Sequence, residues 1–543
     1  MLNLYEIIEL INYCKSPFYN TTMSKILCNI FLLLSLAAYS QNTLVSGGNI
    51  FEGEPYLVIN PQNQQHLVAA WMGFQLNQKI CIKSAVSMDG GNSWSSPVAQ
   101  NHEEATNSSA DVSLAFNSAG ALFMCYIDYD NELFTNGQII IRKSVDGGFN
   151  WSNSIEVINI TDCPTKLCVD RPWMVIDKSG GIHDGTIYVS SMNAKQPTLI
   201  SPPYFPYLSV SKNAGLSFET PRYLDTINFL AGSVIPQVMA SPAVSADGTF
   251  YAVYPSYETS QSLLPRYLLA KSNTQGLAIN HSTAYQGLNF GVQNDLLKRG
   301  SLLKADPSNS LHLAYFFLSE INDGADVYFT ETTDAGITWT TMQRINQDPI
   351  ANGKLQDLLW ADFDVDGDLL VCWRDRRNGI GTSYAESTEI YAAVRPKDSL
   401  NFNIDYPISS QQIQHDQVLT NSGNDFMHTC LMNDTAYAVW GDVRTGTLKI
   451  YLNKWNIFSQ VGSISEIPAD QSIQIIPNPS NLTIQIPANL IGETYTIFSL
   501  TGSAIIKKEV VDEFIDISAL AKGSYFLQII KDANYFKSTF IKE

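Results

Sequence analysis

Short apolar runs alternate with polar turns along most of the chain, which is the pattern expected of β-strands rather than of long helices. The recurring unit is a strand-like run, a polar turn and a second apolar run. It occurs seven times, at residues 54–71, 111–128, 171–190, 241–254, 300–317, 358–373 and 426–440. A third strand-like run follows most of these hairpins, and a fourth follows the third. The pattern therefore predicts seven four-stranded units.

An eight-residue turn motif recurs in phase with these units, at the end of the third strand. Two complete copies are SMDGGNSW (87–94) and SVDGGFNW (144–151), and SKNAGLSF (211–218) and TTDAGITW (332–339) are close copies. SNTQGLAI (272–279) is a degenerate copy. The spacing is near 60 residues, which suits one four-stranded unit with generous loops. We expect an all-β chain folded as a β-propeller, with seven blades favoured and six possible.

The two ends of the repeat region are expected to meet in one blade. The last unit finishes at residues 447–456 without an obvious fourth strand, and residues 42–48 precede the first hairpin. Pairing the two segments would complete the last blade and remove an exposed sheet edge.

The turn motif has a structural explanation. A short Asp side chain accepts hydrogen bonds from turn amides, Gly adopts φ values that other residues avoid, and Trp packs into apolar surroundings. We therefore predict a structural role for its recurring residues, which are Asp89, Trp94, Asp146, Trp151, Asn213, Asp334 and Trp339.

The last part of the chain differs from the repeats. Residues 461–472 are predicted to be a linker, and residues 473–543 alternate strand-like runs with Gly and Pro turns. The pattern predicts a small C-terminal β-sandwich after a propeller that spans residues 41–460.

The N-terminal segment has the features of an export signal. Lys25 precedes the apolar run 26–38, and Ala38 and Ser40 are the small residues of a cleavage site before Gln41. We assign residues 1–40 to this signal region, with Met23 favoured as the true start. The apolar run is short for a membrane span, so we expect no transmembrane span in the mature protein.

Charge and motif content exclude several functions. The net charge of −19 would repel a phosphate backbone, so no nucleic-acid partner is expected. No metal site or cofactor is expected, since the His residues lie at no ligand spacing and the acidic turn 362–368 lacks the final Glu of a calcium loop. Cys163 and Cys168 are predicted to form a disulfide bond after export. The pairing of Cys81, Cys125, Cys372 and Cys430 is left open.

Two resemblances follow from these motifs. The pattern S-x-D-x-G-x-x-W resembles the Asp-box (BNR) repeat of the sialidase superfamily of propellers. The C-terminal segment resembles the type A sorting domain of the type IX secretion system of Bacteroidota, through Pro477-Asn478-Pro479, Thr501-Gly502, Gly523-Ser524-Tyr525 and Lys542. The second resemblance implies export through the periplasm to the outer-membrane surface or the medium, with the secretion machinery as a partner.

Candidate chemistry lies on the loops that lead into the innermost strands and on the loops between second and third strands. The catalytic candidates are Asp170, Asp111, Tyr257 and Glu258. The candidates for substrate binding are Glu54, Arg171, Arg299, Arg374, Arg376, Asp375 and Arg444. Arginine forks bind carboxylates, and paired acids or a Tyr activated by a Glu suit glycoside cleavage. Structural ion pairs are the alternative explanation for these residues.

The sequence therefore predicts a glycan-recognising propeller, which could be an exo-acting glycoside hydrolase on acidic sugars. The Arg-Ile-Pro motif of sialidases is absent, which leaves catalysis open. The alternative is a non-catalytic propeller that binds surface polysaccharide or protein.

Overall fold

The structure is a computed structural model that describes residues 42–48, 50–74, 79–130, 134–194, 199–288, 300–321, 324–415, 424–458, 473, 475–499, 504–531 and 534–543. The expected signal region and linker lie outside these residues. The chain divides into two compact units, residues 1–457 and 458–543.

The first unit contains seven four-stranded sheets among its described residues, here called blades 1 to 7. Blade 7 includes the first strand of the chain, β1 (Thr43–Leu44). Blade 1 comprises β2 (Glu52–Asn60), β3 (Asn63–Phe74), β4 (Ile80–Ser87) and β5 (Val98–Ala99). Blade 2 comprises β6 (Ser108–Phe116), β7 (Leu122–Tyr129), β8 (Gly137–Ser144) and β9 (Ile155–Asn159). Blade 3 comprises β10 (Asp170–Ile176), β11 (Ile187–Met192), β12 (Pro206–Ser211) and β13 (Arg222–Tyr223).

The remaining blades follow the same antiparallel order. Blade 4 comprises β14 (Ser241–Val244), β15 (Phe250–Ser256), β16 (Arg266–Ser272) and β17 (Asn280–Gln286). Blade 5 comprises β18 (Ser301–Ala305), β19 (Leu313–Ser319), β20 (Asp326–Thr332) and β21 (Gln343–Arg344). Blade 6 comprises β22 (Gln356–Phe363), β23 (Leu369–Asp375), β24 (Glu389–Arg395) and β25 (Tyr406–Pro407). Blade 7 adds β26 (His428–Met432), β27 (Thr435–Asp442) and β28 (Lys449–Asn456) to β1.

The first full strands of the blades form a closed ring. Each of β2, β6, β10, β14, β18 and β22 contacts the next in order, β22 contacts β26, and β26 returns to β2. The seven innermost strands therefore surround a central channel, as in a β-propeller. The expected closure of the ring is confirmed, because β1 pairs with β28 through Thr43 opposite Leu452 and Leu44 opposite Tyr451.

The predicted motif forms the same turn in successive blades. In blade 1, the Ser87 hydroxyl donates to Asp89 Oδ1 over 2.8 Å and accepts the N–H of Gly91 over 2.8 Å. Asp89 Oδ1 also accepts the N–H of Ser93 over 2.9 Å. The corresponding bonds recur around Asp146, Asn213 and Asp334, and Thr274 takes this place in the degenerate copy. These hydrogen bonds lower the pKa of the Asp89 carboxyl to about 2.

The tryptophan side chains of the motif pack against apolar clusters of the propeller. Trp151 donates its indole N–H to the Ser84 hydroxyl of the preceding blade over 3.1 Å. Trp94 and Trp339 pack at the edges of apolar clusters, and their indole N–H groups find no hydrogen-bond partner among the described residues.

Each of these turns packs on the preceding blade. The Cα of Gly148 lies against Val68 of blade 1, that of Gly215 against Phe123 of blade 2, and that of Gly336 against Leu269 of blade 4. The turn motif therefore joins neighbouring blades as well as closing a hairpin.

Cys163 and Cys168 form a disulfide bond in the loop that joins blades 2 and 3, with a Cα–Cα distance of 6.0 Å. A 3-10 helix, Ile160–Asp162, precedes this loop. Cys81, Cys125, Cys372 and Cys430 are buried as free thiols.

The second unit has its own apolar core and is all β apart from a 3-10 helix, Ala488–Leu490. Its strands are β29 (Thr483–Gln485), β30 (Thr494–Ser499), β31 (Ala504–Glu509), β32 (Phe514–Asp516), β33 (Gly523–Lys531) and β34 (Asn534–Lys542). β29 pairs with β32, and the other four strands form a sheet in the order β31-β30-β33-β34. The expected small β-domain is therefore present.

Candidate functional site

Four innermost strands begin with the same irregularity. The register of β2, β6, β10 and β22 against its neighbour shifts by a β-bulge close to the start of the strand. At each bulge a residue other than glycine takes a positive φ, namely Glu54, Asp111, Arg171 and Leu358. Such strained positions cluster at functional sites, where a bulge redirects a side chain.

Three of these residues meet at one end of the channel. A side-chain hydrogen bond joins the carboxyl groups of Glu54 and Asp111. The backbone N–H of Arg171 donates to Asp111 Oδ2 over 3.3 Å. Asp170 adds a further negative charge close to the Arg171 guanidinium.

Blade 7 completes this group through Asp425, which lies just before β26. The Arg171 guanidinium forms an ion pair with Asp425 Oδ2 over 3.0 Å, and the backbone N–H of Asp425 donates to Glu54 Oε1 over 3.1 Å. We name the set Glu54, Asp111, Asp170, Arg171 and Asp425 the mouth cluster. Blades 1, 2, 3 and 7 thus contribute four carboxyl groups and one guanidinium to it.

Asp111 is the carboxyl most altered by this setting. Burial, followed by the nearby charge of Glu54, raises its pKa to about 8, although the guanidinium of Arg171 acts in the opposite direction. Asp111 is therefore largely protonated at neutral pH, while it remains hydrogen-bonded to a second carboxyl group. A carboxyl kept protonated at neutral pH beside another carboxyl is the arrangement that a general acid requires.

The Arg171 guanidinium is held by more than charge. It lies 5.1 Å from the ring centre of Phe426, and its Nη1 is 3.8 Å from Met239 Sδ. Contacts with Phe426, next to blade 7, and Met239, next to blade 4, therefore hold the guanidinium in one orientation, as expected of a group that positions a neighbouring acid.

Aromatic rings line the channel farther along the same strands. Trp173 lies 4.9 Å from Phe426 and 5.2 Å from Trp360, between ring centres. Tyr56 lies 3.9 Å from His428, and Trp360 lies 4.6 Å from His428. The mouth cluster therefore lies next to an aromatic wall, which is a common platform for a sugar face.

Arg374 and Arg376 were expected to bind substrate, and the structure does not support that role. Both side chains are 3% exposed and both bind Asp357. Arg374 makes the bidentate pair, with Nε to Oδ1 at 2.7 Å and Nη2 to Oδ2 at 2.6 Å, and the Tyr384 hydroxyl donates to the same Oδ2 over 2.5 Å. Both guanidinium groups are buried and hydrogen-bonded to the same carboxylate, so neither is available to a substrate.

Asp375 and Arg444 belong to a related structural repeat. The indole N–H of Trp373 donates to Asp375, as that of Trp440 donates to Asp442 one blade later. Arg377 then pairs with Asp375, and Arg444 pairs with Asp442. Each of these two ion pairs lies within its own blade, which agrees with the structural alternative for these residues.

Tyr257 and Glu258 lie elsewhere on the same unit, in the loop after β15. The N–H of Tyr257 donates to the Ala231 carbonyl oxygen over 2.9 Å, and Glu258 Oε1 accepts the hydroxyl of Ser260 over 2.9 Å. These contacts hold loops of blade 4 in place. The charged groups that change the pKa of Asp111 most are Glu54 and Arg171, and Glu258 is not among them. Arg299, the third member of the expected arginine cluster, lies outside the described residues.

Asp425 and Phe426 were missed at the sequence level. Both precede β26 at the position that Glu54 occupies before the main part of β2, so the repeat phase carried the signal.

The acidic turn 362–368 forms a tight hairpin between β22 and β23. Asp364, Asp368 and Asp434 bring carboxylate oxygens within 4.8 Å of one another. Asp364 already accepts the backbone N–H groups of Asn433 and Asp434, over 2.8 Å and 2.7 Å, which ties the turn to blade 7. These bonds account for Asp364 as a turn residue.

The fold and the channel together define a β-propeller with a separate C-terminal β-domain. Residues 474–543 match the family model described as the secretion system C-terminal sorting domain. The protein is therefore exported by the type IX secretion system to the cell surface or the extracellular space. No helix among the described residues is long and apolar enough to cross a membrane.

Solved structures of similar architecture include propeller glycosidases. The NanB sialidase of Streptococcus pneumoniae is 13% identical, with 78% of this chain and 72% of that chain covered and a TM-score of 0.40. The α-L-arabinofuranosidase Arb93A of Fusarium graminearum is 10% identical, with 77% and 98% covered and a TM-score of 0.42. The leech intramolecular trans-sialidase is 12% identical, with 79% and 72% covered and a TM-score of 0.39. Among curated protein sequences, none matches this chain.

Proposed function

We propose that this exported propeller recognises a glycan at the mouth cluster and hydrolyses a glycosidic bond there. The observation that carries the proposal is the Asp111 carboxyl, which is hydrogen-bonded to Glu54, lies beside Arg171 and has its pKa raised to about 8 by burial. Glycoside hydrolysis uses two carboxyl groups, one of which donates a proton to the leaving oxygen. Asp111 is the candidate acid, and Glu54 is the candidate second carboxylate.

The charges of the cluster favour a neutral sugar over the acidic sugar suggested by the sequence. Its one guanidinium is paired with Asp425, and the other carboxyl groups would repel a substrate carboxylate. Arg374 and Arg376, which would have bound such a carboxylate, are occupied by Asp357. Sugar hydroxyls can donate to carboxylates, so a neutral glycan fits the cluster better.

A non-catalytic glycan-binding propeller is the second candidate, and one observation favours it. Asp425 donates its backbone N–H to Glu54, and Arg171 donates its own to Asp111. These bonds join innermost strands of neighbouring blades, so the same acids could serve to hold the ring closed. A binding role would then rest on the aromatic wall and the channel mouth.

The two candidates are separated by turnover. The mature full chain is incubated with neutral, uronic and sialyl glycosides, alongside Asp111→Asn, Glu54→Gln and the control Asp366→Asn, which alters an exposed ion pair. We expect cleavage of a neutral glycoside, a loss of kcat of about 100-fold or more in Asp111→Asn, and no change in the control. Activity should also fall as the pH rises above about 8, because Asp111 then loses its proton.

Absence of turnover on every glycoside, with glycan binding retained by the wild type, would exclude the hydrolase and leave the binding propeller. Equal cleavage by wild type and Asp111→Asn would show that the acid lies elsewhere.

A further inference from the structure

A cavity of about 230 Å³ lies in the central channel, beyond the mouth cluster along the innermost strands. Its lining includes the rings of Tyr56, Trp173 and Trp360 together with Lys178 and Lys304. None of these residues belongs to the mouth cluster. We name this space the lysine chamber.

The charged groups of the lysine chamber do not balance. Lys304 Nζ pairs with Asp362 Oδ1 over 3.1 Å, and Asp362 Oδ2 accepts the backbone N–H of Leu431 over 3.1 Å. Lys178 forms no ion pair with any residue that the structure describes. The chamber therefore holds two ammonium groups and one nearby carboxylate, that of Asp362, which already binds Lys304 and the backbone N–H of Leu431.

Neighbouring titratable groups do not supply the missing negative charge. Burial raises the pKa of the Cys430 thiol and of the Tyr56 hydroxyl well above their usual ranges, so both stay neutral. Burial and the charge of Lys304 lower the pKa of His428, which is therefore also neutral. Desolvation lowers the pKa of Lys178, while the charge of Asp362 acts in the opposite direction and the Lys178 side chain stays exposed.

The walls add two further hydrogen-bond donors. The indole N–H groups of Trp173 and Trp360 are buried without a hydrogen-bond partner among the described residues. Buried donors without a partner are costly unless an acceptor is bound, and Lys178 and Lys304 place two ammonium groups on the same cavity.

We propose that the lysine chamber binds a small organic acid, with its carboxylate at Lys178 and Lys304 and its apolar body against the Tyr56, Trp173 and Trp360 rings. The volume is below the range of about 300–1,000 Å³ that drug-sized ligand pockets occupy, which excludes an oligosaccharide. The outer surface, at a net charge of −19, does not attract anions, so binding should report on this chamber.

The test uses calorimetric titration of the mature full chain with sodium acetate, sodium isobutyrate and sodium sulfate at constant ionic strength. We expect saturable binding of isobutyrate that is tighter than that of acetate, because only isobutyrate fills the aromatic wall. Lys178→Met should weaken isobutyrate binding at least tenfold, since it keeps the shape of the side chain and removes the charge. The matched control is Lys397→Gln, a lysine that is 47% exposed and paired with Asp366, and it should bind as the wild type does.

Thermal unfolding checks that Lys178→Met is folded and adds an independent readout. Without ligand the variant should melt close to the wild-type temperature, because Lys178 is exposed and forms no ion pair with the described residues. Added isobutyrate should raise the melting temperature of the wild type and of Lys397→Gln only.

Wild-type crystals soaked in sodium bromide give a readout that needs no variant. An anomalous peak beside Lys178 would support the site, whereas peaks on the outer surface only would overturn it. No saturable isobutyrate binding, or binding of sulfate alone, would also overturn the proposal. Loss of glycosidase activity in Asp111→Asn would not, because Asp111 does not line the chamber.

Discussion

The Asp357 side chain binds two of the arginines that were predicted to bind substrate. It lies buried at the bulge of β22 and accepts hydrogen bonds from Arg374, Arg376 and Tyr384. Arg374 in turn donates to the Tyr384 hydroxyl over 2.9 Å. The two arginines therefore stabilise the Asp357 carboxylate inside blade 6 and hold its pKa well below the usual range, although burial acts in the opposite direction.

Replacing Asp357 with Asn should destabilise the propeller by about 3–5 kcal/mol, because two buried guanidinium groups would lose their counter-ion. Urea unfolding of the full chain measures the free energy. The matched control is Asp366→Asn, which breaks the exposed pair with Lys397 and should cost less than about 1 kcal/mol. Equal effects of the two changes would contradict the structural role assigned to Arg374 and Arg376.

His312 joins charged groups of blades 5 and 6. Its Nδ1 lies 2.8 Å from Asp306 Oδ2 and its Nε2 lies 2.9 Å from Glu331 Oε2, while Arg395 pairs with Glu331 over 2.7 Å. Burial lowers the pKa of His312, but the hydrogen bonds to the two carboxylates outweigh it, so the net shift is upward.

A raised pKa in the folded state means that protonated His312 stabilises the protein fully below its unfolded pKa of about 6.5. This contribution is lost as the pH rises through the higher folded value. We therefore expect His312→Gln to be less stable than the wild type at pH 6, with the difference shrinking toward pH 9. Thermal unfolding across this pH range measures it, and an unchanging difference would contradict the assignment.

His66 provides the control for this comparison. It occupies the corresponding position of blade 1, where it contacts Asn60 Nδ2 and the Gly147 carbonyl oxygen. His66→Gln therefore removes a histidine from the matching position, where the ring contacts an amide nitrogen and a carbonyl oxygen instead of two carboxylates.

The third-strand turn is the element that most clearly links the repeat to the packing of blades. Gly336 has a φ of +86°, and a Cβ there would lie 2.2 Å from Leu269 Cδ2 of the preceding blade. Gly446 has a φ of +87° with no atom within 4 Å of such a Cβ. The two glycines share a backbone conformation and differ in what surrounds them.

Gly446→Ala should therefore report the backbone strain alone, about 1 kcal/mol, while Gly336→Ala should cost about 1–3 kcal/mol more because the turn must move away from blade 4. Chemical unfolding of the two variants provides the comparison. Equal losses would mean that the turn closes its own hairpin without holding neighbouring blades together.

Closure of the ring belongs to the whole molecule, because it joins residues at opposite ends of the propeller sequence. Val45 follows β1, is 5% exposed and packs with Leu57, Val439 and Ile450. Its N–H donates to the Ile450 carbonyl oxygen over 2.9 Å. Leu44 beside it is 43% exposed.

Val45→Asp should therefore destabilise the propeller by about 3 kcal/mol or more, since it buries a charge at the junction of blades 1 and 7. Leu44→Asp should change stability by less than about 1 kcal/mol. Limited proteolysis should detect the opened ring in the first variant only. Similar protease sensitivity of both variants would contradict the role of this segment in closure.

The sequence by itself determined the features that depend on neighbouring residues. Strand alternation, the Ser-Asp-Gly turn of residues 87–94, the disulfide loop of residues 163–168 and the C-terminal domain all follow from local spacing, and the repeat phase extended them to a closed ring. The phase of the repeat also identified Glu54, Asp111 and Arg171 as candidate site residues, because each lies where an innermost strand begins.

Only the tertiary structure decided which charges meet. Arg171 pairs with Asp425, which lies 254 residues away, whereas Arg374 is neutralised by Asp357 in its own blade. A sequence shows that both arginines lie near the channel mouth, but the strength of a charge interaction depends on distance and burial in the folded chain. The same dependence raises the pKa of Asp111 to about 8.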